Sequence, residues 1–310
     1  MVISVLEMVL PIVITFSLGV MARKKALFDD NGCRTLKTIV SRILLPIVLL
    51  NAFLFADYST ETIIIIVVVL IAMIAVLGLA YLIRRFVPDR AKYFPFVFST
   101  LECGSIGYPL INMLYGARGT SDMAIIDVGH TIFLFMIAIP ILQIADTGSA
   151  DVKKIMKDAL TSATFLAMVV GIILGVLGVD TAIANSPYNG IYNAVISFLT
   201  APTAMLILLS LGYDISLRDD LMKPVLFTSL SRLVTMAVFC AVSCPIIFHF
   251  MPYSKPTLVA LMLAYSLPAS FAIPAFGKFE GHKDYVSTTI SFSTVLTLII
   301  FVFLAIFAKS

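Results

Sequence analysis

Residues 98–116 read FSTLECGSIGYPLINMLYG. The stretch is apolar enough to belong to a membrane-crossing helix, yet it holds Glu102, Gly104, Gly107, Pro109 and Gly116. Proline removes a backbone donor and clashes with the preceding turn. Glycine weakens a helix by about 1 kcal/mol relative to alanine. An acid among such residues predicts a helix interrupted inside the bilayer. Unwound backbone is tolerated there only where protein covers it or where it lines a watery cavity.

The rest of the chain supports a membrane setting. Of its 310 residues, 60% are hydrophobic and 13% are charged, against about 25% charged in soluble domains. Mean hydropathy is +1.07. The apolar runs are continuous rather than alternating, which predicts helices and not a barrel. At about 20 residues per crossing, ten spans are expected: 3–22, 36–55, 62–83, 93–115, 122–144, 160–179, 189–212, 225–250, 256–277 and 286–307. The first reads as a retained span, since the N-terminus has no basic leader or clear cleavage site. The run IIIIVVVLIA (63–72) is apolar on every side and is expected to face lipid or to pack in the scaffold.

Charge sets the orientation. Sixteen of the 21 Lys and Arg residues fall in the loops after spans 1, 3, 5, 7 and 9. Three (Arg118, Lys255, Lys309) fall on the opposite side, and Arg42 and Arg232 lie within spans. The positive-inside rule then puts both termini on the non-cytosolic side. A net charge of +3, dispersed through short loops, argues against nucleic acid as a partner. The four cysteines form no disulfide framework; Cys240 and Cys244, four apart, read as small packing residues.

Ten spans divide into five and five, 1–150 and 151–310, with the second half inverted relative to the first. SIGYPLINMLYG (105–116) aligns without a gap on SFAIPAFGKFEG (270–281). Ser105, Pro109 and Gly116 fall on Ser270, Pro274 and Gly281, and Gly107 meets Ala272. Spans 2 and 7 also match in kind, around Pro46 and Pro202. Breaks are therefore expected at Gly104 to Pro109 and at Pro268 to Pro274, facing each other. A simple proline kink is the bland reading of either one alone. Paired breaks would aim free N–H groups at a shared pocket suited to a carboxylate.

These residues resemble a known family. STLECGSIGYPLINMLYG is similar to the span-4 pattern of the auxin efflux carrier family, and LPASFAIPAFGKFEGHKDYVSTTISFSTVL (267–296) to its span 9 and the start of span 10, plant PIN auxin carriers included. LPIVITFSLGVMARKKALFDD, ILLPIVLLNAF and APTAMLILLSLGYDI fit as well. The resemblance implies an all-α membrane protein with an NhaA-like inverted-repeat fold, in which the broken spans 4 and 9 cross. Spans 1, 2, 6 and 7 would form a scaffold, and spans 3–5 and 8–10 a transport group. It implies a secondary carrier of a small organic anion: auxin in plants, malonate or malate in bacterial branches. The crossover positions map to Gly104, Ser105, Gly107, Pro109, Pro268, Ser270 and Pro274. A bacterial inner membrane and a homodimer are further expectations.

Glu102 departs from the family, which usually has asparagine there. It is read as a proton carrier or as the balance for a cotransported cation. The other readings are a substrate that is not an anion, and a structural partner for a basic side chain. H⁺ and Na⁺ are the candidate coupling ions; no cofactor or metal is expected. Asp127 and His130 share a helix face, either as a packing pair or as a proton-exchanging one. Arg42 and Arg232 are expected to snorkel, or else to meet Glu102 or substrate. Asn51, Tyr192 and Thr203, with Asn193, Ser197 and Thr200, could add polar contacts to the same cavity. SADVKKIMKDAL (149–160) reads as a short amphipathic cytosolic helix. A membrane-embedded ligand sensor is the alternative function. An enzyme is not expected: there are three histidines and neither an H-E-x-x-H nor a G-x-S-x-G motif.

Overall fold

A computed structural model describes residues 2–56, 58–215 and 218–309. All regular structure among them is helical: α1 (Val2–Lys24), α2 (Asp30–Ile39), α3 (Leu45–Leu54), α4 (Thr60–Ile83), α5 (Phe94–Ser99), α6 (Tyr108–Phe133), α7 (Ile139–Thr147), α8 (Val152–Leu160), α9 (Ala163–Val176), α10 (Val179–Ala184), α11 (Asn189–Thr200), α12 (Pro202–Asp214), α13 (Met222–Phe250), α14 (Lys255–Ser266), α15 (Ala272–Phe276) and α16 (Lys283–Lys309). Wider π-helical turns join α2 to α3 (Val40–Leu44), lead into α6 (Cys103–Gly107) and join α6 to α7 (Leu134–Ala138).

Six helical stretches among the described residues are long and apolar enough to cross a bilayer: Asp30–Leu54, Thr62–Phe86, Phe94–Thr147, Asn189–Asp214, Asp219–Phe250 and Lys283–Lys309. A seventh arises if α8 and α9, bent by 64°, count as one span. The difference from the ten expected spans has physical causes. Phe94–Thr147 takes in two of them. At about 1.5 Å per residue its 54 residues would run far beyond a hydrocarbon core about 30 Å thick. The chain turns inside it at Gly116, whose φ of 58° and ψ of −143° are open to glycine and costly for other residues. The ninth expected span is divided into α14 and α15, with non-helical residues between them.

Local signals place the shorter elements. Asp29 caps α2 by accepting the Gly32 N–H (2.8 Å), and Asp151 caps α8 by accepting that of Lys154 (2.9 Å). The helix expected from SADVKKIMKDAL is α8, with Ile155 and Ala159 turned inward. The uniformly apolar α4 has two unlike faces. Ile63, Val67, Ile71 and Ile74 are exposed, whereas Val69, Met73, Val76 and Ala80 are buried where the helix packs on α6 and α13.

Contacts sort the helices into two groups. In one, α1 packs on α12, and α3 packs on α9 and α11. In the other, α4, α6, α13, α14 and α16 pack on one another, tied by Thr228–Tyr285 (2.8 Å), Ser229–Ser293 (3.1 Å) and Ser243–Tyr265 (2.8 Å). Contacts of α1 with α16 and of α3 with α6 connect the groups. The first group is drawn together by small residues. Gly19 of α1 and Gly212 of α12 face each other so closely that a Cβ on either would collide with the opposite backbone, a packing suited to a lipid environment.

Gly212→Leu should therefore lower the melting temperature of the purified protein in detergent, by a loss of about 1–3 kcal/mol or more from overpacking. Gly190→Leu, on α11 with open space around it, should leave melting unchanged.

Candidate functional site

The chain leaves helical geometry at Thr100, Leu101 and Glu102, and again from Leu267 to Phe271. The first break thus starts upstream of the expected Gly104–Pro109, which instead forms the π-helical turn and the start of α6. Pro109 sits at the second position of α6, directly after the π-helical turn, and Pro274 at the third of α15, in a first turn where a missing N–H costs little. Pro268 lies within the second break. The two breaks touch: a Cβ on Gly107 would lie 3.0 Å from Leu267 Cδ1. The turn Cys103–Gly107 also packs on α14.

Glu102 ties the breaks together. It is 8% exposed. Its Oε1 accepts from the Ser105 N–H (2.9 Å) and Oγ–H (2.7 Å). Its Oε2 accepts from the Phe271 N–H (2.7 Å) and, at 3.5 Å, from Ser270 Oγ. The carboxylate thereby caps the helical turn that follows its own break, through the Ser105 amide and hydroxyl, and also receives an amide and a serine hydroxyl from the second break. Of the readings open for Glu102, an ion pair with a basic side chain is not what forms among the described residues; its partners are backbone and serine groups.

Three more of the freed backbone groups have partners. Thr100 Oγ1 donates to the Phe96 carbonyl (2.8 Å) and accepts the Ser270 N–H (3.2 Å). The Thr100 carbonyl accepts from Arg232 Nη2 (2.7 Å). Leu101 N–H donates to His130 Nε2 (3.0 Å). Arg232 is only 2% exposed, which corrects the expectation that it snorkels; it lies behind the crossover, with its Nε unpartnered. Arg42 is exposed, as snorkelling requires. Nothing in the sequence pattern flagged Thr100 or the Phe271 amide. Their one signal is position, immediately before and within the segments that break.

Asp127 and His130 face the first break from α6. Asp127 accepts from Tyr108 OH (3.0 Å) and Thr131 Oγ1 (3.3 Å), and its Oδ1 lies 3.4 Å from His130 Nδ1. Cys103, Asp127 and His130 bring possible ligand atoms within 4.8 Å of one another. The hydrogen bonds fit a network better than a metal centre. An Nε2 that accepts from Leu101 leaves the ring proton on Nδ1, toward Asp127. An ion at Nδ1 would need that proton to move to Nε2, against the Leu101 N–H.

A cavity of about 990 Å³ opens in front of the crossover. Glu102, Gly104, Ser105, Ser270, Pro274, Asp127 and His130 line it; Leu49 and Phe53 of α3 form the facing wall. Exposed Lys37, Asp214, Lys278 and Lys283 stand at its mouth, at the end of the molecule that carries the basic loops. Lys37 and Asp214 form an ion pair there. Gly107, Pro109 and Pro268 support the crossover from outside the cavity wall.

Three predicted contacts lie elsewhere. Tyr192 OH donates to Asn51 Oδ1 (2.9 Å), and Asn51 lines a second cavity of about 220 Å³ with Phe55, Ser121, Asp122 and Asn193. That cavity lies toward the opposite end, beside Arg118. Next to it, Ser121 Oγ of α6 donates to the Ala52 carbonyl of α3 (3.1 Å). Thr203 is buried in α12 with its hydroxyl unpartnered and is on neither cavity wall. Helical pitch explains the split: Leu49 and Phe53 point to one cavity, Asn51 and Phe55 to the other.

Comparison with known proteins relates the chain to membrane transporters. A family model described as "Membrane transport protein" matches residues 4–164. A protein of Methanothermobacter thermautotrophicus named "Uncharacterized transporter" is 24% identical over 301 residues, 94% of this chain and 95% of that protein. With its apolar helices and its two breaks meeting above a cavity, the chain is an integral membrane protein and belongs to the membrane transport protein family, that of the auxin efflux carriers.

Proposed function

We propose that the protein is a secondary active carrier that moves a small organic anion across the membrane by alternating access. The observation that carries this reading is the convergence of two backbone amides and two serine hydroxyls, one pair from the turn after the first break and one from the second break, on one carboxylate at the head of a cavity. Donors arranged to hold one carboxylate can hold another, and backbone amides do so without a lysine or arginine. Coupling to H⁺ or Na⁺ goes with the acid at the centre.

In this reading the chain makes ten crossings, as two inverted halves of five, 1–150 and 151–310. Several pairings support the repeat. Ser105 and Ser270 each donate to Glu102, and Gly116 and Gly281 both have positive φ, 58° and 70°. The group of α1–α3 and α8–α12 serves as scaffold, and the group of α4–α7 and α13–α16 carries the crossover. The positive-inside bias makes the large cavity cytosolic and puts both termini outside. The small cavity is then the closed outer entrance, held shut where Ser121 meets Ala52.

A second reading rests on Glu102 itself: an ionised acid in the cavity would suit a cationic substrate. A thermal-shift screen separates the two, with the purified protein tested against mono- and dicarboxylates, aromatic acids, amines and Na⁺ at two pH values. An acid should raise the melting temperature saturably, since a ligand at a hundredfold its Kd stabilises by about 2.7 kcal/mol. A response to amines and to no acid would overturn the anion reading. The access cycle has its own test. Ala52→Cys/Ser121→Cys, joined by a short bis-maleimide, should keep ligand binding in detergent and abolish uptake into proteoliposomes. Undiminished uptake by the joined protein would remove the outer gate from the mechanism.

A further inference from the structure

We infer that Glu102 is the resident occupant of the carrier's own carboxylate subsite, and that a substrate carboxylate enters only as Glu102 takes up a proton and releases the crossover donors. This rests on the carrier reading above and adds the order of events and the coupled ion.

Every contact of Glu102 uses it as an acceptor, and its two oxygens divide the donors by break: Ser105 on Oε1, Ser270 and Phe271 on Oε2. A second carboxylate cannot use the same donors while Glu102 holds them, and two ionised carboxylates on one donor set repel. Glu102 is not held by a fixed cation: among the described residues no ion pair includes it. It is on non-helical backbone (φ −108°, ψ 72°), and the cavity in front of it gives its side chain room to turn away.

The exchange balances. Glu102 gains one proton and becomes neutral, one substrate carboxylate takes its N–H and O–H donors, and the charge at the crossover is unchanged. Water reaches the cavity through its charged mouth. The titratable groups around Glu102 accept from other donors or lie farther off, so protonating them does not release the Ser105 and Phe271 amides. Cys103 adjoins it on the first break, and Asp127 and His130 of α6 bond Tyr108 and Leu101. Arg232 of α13 holds the Thr100 carbonyl from behind, and Tyr265 of α14 pairs with Ser243. Lys37, Asp214, Lys278, Lys283 and Asp284 lie toward the mouth. Glu102 is the cavity acid that holds the Ser105 and Phe271 amides, so its protonation is the one that frees them together.

The test uses the full-length protein and sodium formate, with sodium chloride at equal ionic strength as control. In Glu102→Ala the donors stand vacant. At neutral pH, formate should raise its melting temperature saturably, at a half-saturating concentration at least roughly tenfold below that of wild type, a difference set by removal of the competing carboxylate. An equal response in wild type, or none in folded Glu102→Ala, overturns the inference. If Glu102→Ala does not fold, Glu102→Gln carries the test. Wild type should respond to formate more strongly as pH falls, by up to roughly tenfold per unit for one linked proton, whereas the glutamine variant should not. A wild-type response that does not change with pH overturns the inference equally. Should folded Glu102→Ala ignore formate while a larger organic acid still stabilises wild type, occupancy by Glu102 fails and the anion carrier stands. Indifference of both proteins to every carboxylate removes both.

Discussion

The carboxylate of Glu102, accepting from both chain breaks at once, is the interaction on which the centre of this molecule depends. Two segments of backbone leave helical geometry inside an apolar protein, and each unsatisfied N–H or C=O there costs several kcal/mol. Glu102 takes the amides of Ser105 and Phe271, His130 takes that of Leu101, and Thr100 takes that of Ser270. Arg232 supplies the donor for the Thr100 carbonyl. The acid that looks out of place in an apolar run is what lets that run be broken.

Much of this was legible in the sequence, because a broken membrane helix must be written in residues that break helices. Gly104, Gly107 and Pro109, then Pro268 and Pro274, marked the two segments, and alignment of Ser105 with Ser270 picked out two hydroxyls that share one acid. The exact positions of the breaks were less legible. Glycine and proline show where a helix is weak, but the last helical bond is decided by what can cap the free groups, and here the caps are Glu102, Thr100 and a histidine 29 residues along the chain. The burial of Arg232 is not legible in sequence, which gives only its distance from the span's end; the Thr100 carbonyl it meets lies in the first break. Asn51 is legible as a polar residue near a span proline, but its helix face leads to the smaller cavity, where Tyr192 bonds to it.

Both helix groups contain direct backbone contacts: Gly19 against Gly212 in the first, and Gly129 of α6 against Ile66 of α4 in the second. The second adds hydroxyl pairs that join α13, α14 and α16, and the breaks lie inside it with Glu102, Thr100, His130 and Arg232. The crossover and its partners thus belong to one packed body, whose contacts with the other pass mainly through α1–α16 and α3–α6.

Arg232 brings a further consequence. Its guanidinium is buried against Thr100 with no carboxylate on it among the described residues. If the crossover body shifts across the bilayer, that positive charge shifts together with the carboxylate of Glu102, and while Glu102 is ionised the two cancel. Displacing one elementary charge through the full membrane potential is worth about 2.3 kcal/mol per 100 mV. The resting voltage of the cell would then act on the form in which Glu102 is protonated and no substrate has replaced its charge, biasing which face that form presents.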